Sequence, residues 1–140
     1  MIIQQKLELN TKGFNDIVDI TSQIQDYVSN SRIKNGYVLV FVPGATGGLT
    51  TIEYEPGLLQ DLPELFEKIA PMNKSYFHDK TWHDGNGYAH LRSALIGPDI
   101  TIPIQDNKLV LGTWQQVVFL DFDNRARKRN VHIQIPGELD

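Results

Sequence analysis

Four histidines are spread over 140 residues, and two of them fall in one nine-residue stretch, WHDGNGYAH, Trp82 to His90. His78 lies just upstream in YFHDKT. Imidazole titrates near neutrality and carries a donor and an acceptor, so His90 with His78 or His83 could serve as acid, base or metal ligand. No HExxH or other standard metal-ligand spacing accompanies them. If NGYAHLRSALIG is helical, Asn86, His90 and Ser93 fall at i, i+4 and i+7 and share one polar face. That face is either solvated, with His90 making a single hydrogen bond, or turned into a cleft where the imidazoles meet a ligand.

Other stretches carry weaker chemical signals. Gly85 and Gly87 flank Asn86 at the helix start, where free backbone N–H groups could receive a phosphate or simply form a glycine-rich cap. VPGATGGLTT, Val42 to Thr51, could cradle an anion or be a hairpin turn, and no GK[ST] follows to make it a Walker loop. Glu53 and Glu55 sit two apart on an expected strand and so face the same side, where solvation is the usual answer to like charges. In NRARKRN, Arg125, Arg127 and Arg129 occupy one face of a strand and Lys128 the other. The chain is acidic and this run lacks interleaved aromatics, so an exposed edge strand or a subunit contact is expected there rather than a nucleic-acid site.

The elements that must hold these residues follow from periodicity. Residues 2–10 alternate as an edge strand, and Gly13 with Asn15 suggests a turn and helix cap. Ile17, Ile20, Ile24 and Val28 recur at helical steps, which predicts a helix ending near Asn30. GYVLVFVPG reads as a buried strand and LTTIEYE as the next one. Leu58, Leu59, Leu62, Leu65, Phe66 and Ile69 predict a second helix with a core-facing stripe, irregular at Pro63 and stopped by Pro71. A short third helix is expected from about Asn86 to Ile96, ended by Gly97 and Pro98. DITIPI, KLVLG, TWQQVVFLDFD and RKRNVHIQI then read as strands joined in antiparallel hairpins. Helices early and strands late give an α+β class, and residues 1–140 are expected to form a single domain.

Composition narrows the function. Hydrophobic residues make up 41% of the chain, charged residues 21%, and the formal net charge is −4. These values suit a folded globular protein and argue against one that coats nucleic acid. The absence of cysteine removes thiolate metal sites and a Cys nucleophile. It also fits a cytoplasmic protein, as does a start, MIIQQKLELN, that has no long apolar run and so suggests no membrane partner.

Taken together, FVPGATGGLTTIEYEPG, YFHDKTWHDGNGYAHLRSALIGPDITIPI and KLVLGTWQQVVFLDFDNRARKR closely resemble the YjbQ-like family, whose members are also labelled secondary thiamine-phosphate synthases. The resemblance spans roughly residues 36–135, and AHLRSALIG with LGTWQQ is its most specific part. It implies a compact sandwich of mainly antiparallel strands with two or three helices, assembled as a homotrimer with sites near the subunit boundaries. It implies that Glu53, His78, Asn86 and His90 are motif residues and that Gln115 belongs to a GTWQ motif. Many members carry a histidine where this chain has Gly44, so the third ligand of a three-histidine metal set would be His83. The implied activity couples a hydroxymethylpyrimidine diphosphate to a thiazole phosphate and releases pyrophosphate. His90, His78 and Glu53 would be the catalytic residues, and Asn86, Gly85, Gly87, Arg92 and Gln115 the ligand contacts. A divalent metal, Zn²⁺ on imidazoles or Mg²⁺ on carboxylates, would be the cofactor. The competing expectation is a non-catalytic trimer that binds a small phosphorylated or heteroaromatic metabolite or a metal.

Overall fold

A computed structural model describes residues 1–139. Its eight strands are β1 (Ile2–Thr11), β2 (Asp16–Asp19), β3 (Ile33–Phe41), β4 (Gly47–Glu53), β5 (Asp99–Gln105), β6 (Lys108–Leu109), β7 (Gln115–Asp121) and β8 (Arg127–Leu139). Four helices, α1 (Thr21–Ser31), α2 (Pro56–Ile69), α3 (Phe77–Trp82) and α4 (Gly87–Ile96), complete the chain, one or two more than expected. The strands form a five-stranded sheet in the order β1-β8-β3-β5-β6 and a three-stranded sheet in the order β2-β7-β4, with every pairing antiparallel. The α+β class is as expected from the sequence. No described helix is long and apolar enough to cross a membrane.

Two apolar layers hold the sheets and helices together. Val38, Val40, Ile102, Ile104, Val131, Ile133 and Ile135 of the large sheet pack with Leu49, Val117 and Phe119 of the small one, and Ile24 and Val28 of α1 close that layer. Val118, Leu120 and Phe122 point to the other side of the small sheet, against Phe66 of α2 and Tyr88 and Ala89 of α4. β7 is thus buried on both faces, which is why its sequence is a continuous apolar run.

Several expectations are corrected. Ile17 lies in β2, and the helix starts only at Thr21. The backbone turns through left-handed Gly13, Phe14 and Asn15 straight into a strand, so Asn15 caps no helix. The expected core stripe of α2 is mostly absent: Phe66 is its only buried residue and Leu62 packs partly beside it, while Leu65 and Ile69 are exposed. Only β5 and β6 form a late hairpin. β7 and β8 follow each other in sequence yet join different sheets, because their shared apolar faces pack across the sandwich instead of pairing. β8 is flanked by β1 and β3, so the arginine-rich strand is internal rather than at an edge.

Candidate active site

The residues around Trp82 to His90 are organised by one carboxylate. Asp79 in α3 accepts hydrogen bonds from the backbone N–H of Tyr76 (3.1 Å) and of Gly87 (3.0 Å). It thereby caps α3 and ties that helix to the first residue of α4. These backbone donors, Tyr76 foremost and then Gly87, hold the Asp79 carboxyl below the usual carboxylate range. The helices approach so closely at Gly87 that a Cβ there would stand 2.8 Å from the Tyr76 Cβ. The Gly87 N–H is therefore spent inside the protein and does not receive a ligand. Gly85, at φ +66°, makes the turn between the helices.

This clamp sets His78 of α3 against His90 of α4, with ring centroids 4.1 Å apart and planes inclined at 36°. Burial, then the adjacent His78, pushes the His90 pKa below its ordinary value, and the more distant Asp123 and Asp84 oppose this less strongly. This biases His90 toward the neutral imidazole. The Nδ1 atom of His78 is buried and finds no hydrogen-bond partner among the described residues. The nearest carboxylates, Asp84 and Asp79, lie 3.8 and 3.9 Å from it.

The polar face of α4 is buried, not solvated. Asn86 and Ser93 are each 8% exposed, whereas Leu91 and Leu95 face outward. Ser93 Oγ donates to the Gly47 carbonyl, and Asn86 Nδ2 donates to Asp123 (3.2 Å). The face borders a cleft of about 500 Å³ lined by the β3–β4 turn Gly44–Thr46, by Asp84, Asn86 and His90, and by Asp123, Asn124, Arg125, Arg127 and Arg129. Its volume lies within the range of small-molecule pockets, and its lining is polar and charged.

The floor of the cleft is an ion-pair network that closes one end of the sandwich. Arg129 is 4% exposed and donates through Nε (2.8 Å) and Nη2 (2.9 Å) to the fully buried Asp121, joining β8 of the large sheet to β7 of the small one. Arg129 Nη2 also reaches Thr46 Oγ1 (2.8 Å), and Arg127 Nη1 pairs with Asp123 (2.6 Å). Burial raises the pKa of both carboxyls, but their partners win: Arg129 and Thr11 pull Asp121 down, and the Asn124 N–H, Asn86, Thr46 and Arg127 pull Asp123 down.

A folded-state pKa below the unfolded one means that the unfolded chain binds more protons in between, so stability is lost as pH falls through that interval. Thermal melts should therefore show a shallow loss beginning near pH 6.5, from His90, and a steep one below about pH 4, from Asp121 and Asp123. A Tm unchanged down to pH 3 would contradict the network.

The remaining candidates are dispersed. His83 is the exposed, left-handed C-cap of α3 and joins no cluster. Arg92 is fully buried on the far side of α4, where it donates to the Ala70 carbonyl (3.1 and 2.8 Å), Asn15 (2.9 Å) and Glu67 (2.9 Å). It does not line the cleft. Glu53 and Gln115 pair in register at one end of the small sheet. The cleft lies at the other end, beside Gly47 and Asp121, six residues or about 20 Å along the strand. Gln115 Nε2 donates there to Thr51 Oγ1 (2.9 Å), and Glu55 is the N-cap of α2. A three-histidine metal set does not fit this arrangement, because His83 is exposed at the end of α3 and neither it nor His90 joins a described group of converging ligand atoms. The one described group with ligand atoms close together, all within 4.8 Å, is His78, Asp79 and Asp84, and Asp79 there already accepts two backbone hydrogen bonds.

The arginines of the cleft had a signal that the reading of the sequence missed. Arg127 and Arg129 share the strand parity of Val131, Ile133 and Ile135, so they continue a stripe that points inward.

Comparison with known proteins agrees with the fold. Residues 5–138 match the family model described as UPF0047 protein YjbQ-like. A UPF0047 protein of Archaeoglobus fulgidus is 40% identical over 89% of this chain and 94% of its own length. A UPF0047 protein of Methanocaldococcus jannaschii is 34% identical over 95% of this chain and 94% of its own. The crystal structure of a YbjQ-like protein of unknown function from Sulfolobus solfataricus P2 superposes with a TM-score of 0.93 at 30% identity, covering 99% of both chains. With the match running over nearly its whole length, in sequence and in fold, the chain belongs to the UPF0047 YjbQ-like family.

Proposed function

We propose that this protein is a small-molecule enzyme whose reaction takes place in the cleft beside His90. The observation that carries this reading is the His78–His90 pair at the cleft wall, with ring centroids 4.1 Å apart, where burial and the neighbouring ring lower the His90 pKa. An imidazole whose pKa is lowered favours the neutral form, a proton acceptor, and His78 is placed to polarise it or share the proton. No step of this proposal requires a metal. The substrate is a small phosphorylated or heteroaromatic metabolite, and the resemblance to secondary thiamine-phosphate synthases makes the pyrimidine diphosphate–thiazole phosphate coupling the first reaction to assay. In that reaction the thiazole nitrogen, which carries no proton, bonds to the pyrimidine methylene carbon as the C–O bond to pyrophosphate breaks; His90 would accept a proton from the exocyclic amino group of the pyrimidine as pyrophosphate leaves and return it once the new C–N bond has formed.

The test is pyrophosphate release from this substrate pair. His90→Gln is expected to lower kcat by about 10²–10⁴-fold, the range for losing a positioned acid–base group, with Tm little changed. Equal turnover by the variant and the wild type would overturn the assignment.

The position of Glu53 and Gln115 favours an oligomer, and the family resemblance supplies the number three. About 20 Å of strand separates them from the cleft, so they can join it only from a second copy of the chain. Light scattering should return about three times the 15.9 kDa chain mass, and a monomer would refute this part. The same separation also favours the second reading, a non-catalytic binding protein, in which His90→Gln weakens metabolite binding and no turnover is found.

A further inference from the structure

We propose that the wall formed by Arg125, Arg129 and the Gly44–Thr46 turn is an oxyanion subsite that holds a phosphoryl group of the ligand. The inference rests on the cleft being the functional site, as proposed above.

Three guanidinium groups line the cleft, and their bonding is unequal. Arg129 uses Nε and Nη2 on Asp121 and Thr46, which leaves Nη1 without a protein partner among the described residues. The two bonds to Asp121 hold that guanidinium rigidly, so an anion meeting Nη1 imposes little further ordering cost. Nη1 is uncovered because Gly44 has no side chain: a Cβ there would stand 3.3 Å from it. Gly44 also has φ +123°, a conformation that other residues rarely adopt. Arg127 gives Nη1 to Asp123. Arg125, on the turn between β7 and β8, is exposed and pairs with no carboxylate among the described residues.

Charge on the wall points the same way. Asp121 and Asp123 are matched by Arg129 and Arg127, which leaves Arg125 as the unmatched cation, while the remaining cleft carboxylate, Asp84, stands beside His78. A planar guanidinium pairs bidentately with carboxylate and phosphate alike, and a second N–H donor lining the same cleft can engage a third oxygen, which a phosphoryl group has and a carboxylate lacks. The phosphoryl group would anchor the ligand at this wall and present the rest of it to His90, which borders the same cleft.

The test is phosphate binding without turnover. Inorganic phosphate is titrated into the wild-type protein, Arg125→Gln and Lys128→Gln at about 0.15 M KCl, with acetate as a second probe and Tm recorded for each variant. Lys128 is a matched control, since it sits on the opposite face of β8 and pairs with Glu8 at 3.3 Å. Saturable binding at one site per chain is expected, weakened about tenfold or more by Arg125→Gln, the scale for one hydrogen bond between charged groups. Lys128→Gln should change it by less than about twofold, as an exposed pair away from the site contributes little, and acetate should bind more weakly than phosphate. Absence of saturable phosphate binding, equal effects of the two substitutions, or acetate binding as well as phosphate would each overturn the subsite. Phosphate binding without any His90-dependent reaction would overturn only the acid–base proposal. A His90-dependent reaction in a protein that fails to bind phosphate would overturn only this one.

Discussion

Replacing Arg129 with methionine is expected to lower the stability of the fold by about 3–5 kcal/mol, the range found when one member of a buried ion pair is removed. Methionine keeps much of the stem volume, so the loss reports charge and hydrogen bonding more than a cavity. The Asp121 carboxylate is fully buried and would retain only the Thr11 hydroxyl as a side-chain donor. It would have to stay charged without its counter-ion or take up a proton, and either costs free energy at pH 7. Because the pair joins β8 to β7, the loss should appear in global urea unfolding as a lower midpoint with an unchanged slope. Removing both charges with Arg129→Met and Asp121→Leu should restore part of the stability, since the unpaired carboxylate is then gone. A single-variant loss below about 1 kcal/mol, the level of an exposed ion pair, would show that the network does not close the sandwich.

Arg92→Ala is expected to cost about 2–4 kcal/mol, from a buried carbonyl left unpaired together with the space vacated by a large side chain. The guanidinium gives two hydrogen bonds to the Ala70 carbonyl at the C-terminus of α2, and lies 4.8 Å from the centre of the Tyr88 ring. It thus fastens α2 and α4 to each other and, through Asn15, to the turn before β2. Its partner Glu67 is half exposed and regains water when Arg92 is lost, so the penalty comes from Ala70 and from packing rather than from a stranded charge. Phosphate binding by the folded fraction should be unchanged. A variant that keeps wild-type stability but loses ligand affinity would restore Arg92 as the anion contact that the sequence suggested.

Local pattern was sufficient for much of the fold. The alternation in residues 2–10, the apolar run of β3 and the Gly97–Pro98 exit of α4 each follow from a signal contained within one element, and the structure has all three. The helix register of Asn86, His90 and Ser93 was legible for the same reason, because side chains at helical spacing share a face whatever surrounds them. Whether that face met water or protein was not legible. Burial of Asn86 and Ser93 depends on β4 and on the turn after β7, which lie about 40 residues away on either side in sequence.

The sequence by itself determined the class, the family resemblance and the neutral-range chemistry of the WHDGNGYAH segment; it also carried the shared parity of Arg127 and Arg129 with Val131, Ile133 and Ile135, although an exposed edge strand was expected there. Only the tertiary structure decided which of those residues meet. It brought His78 onto His90 through the Asp79 clamp, set Arg129 on Asp121 across two sheets, and sent Arg92, Glu53 and Gln115 elsewhere. The physical reason is that spacing along a chain constrains neighbours within one helix or strand, whereas contacts between sheets are set by the way their apolar faces pack together. β7 and β8 adjoin in sequence, and packing rather than adjacency put their acids and arginines at the floor of one cleft.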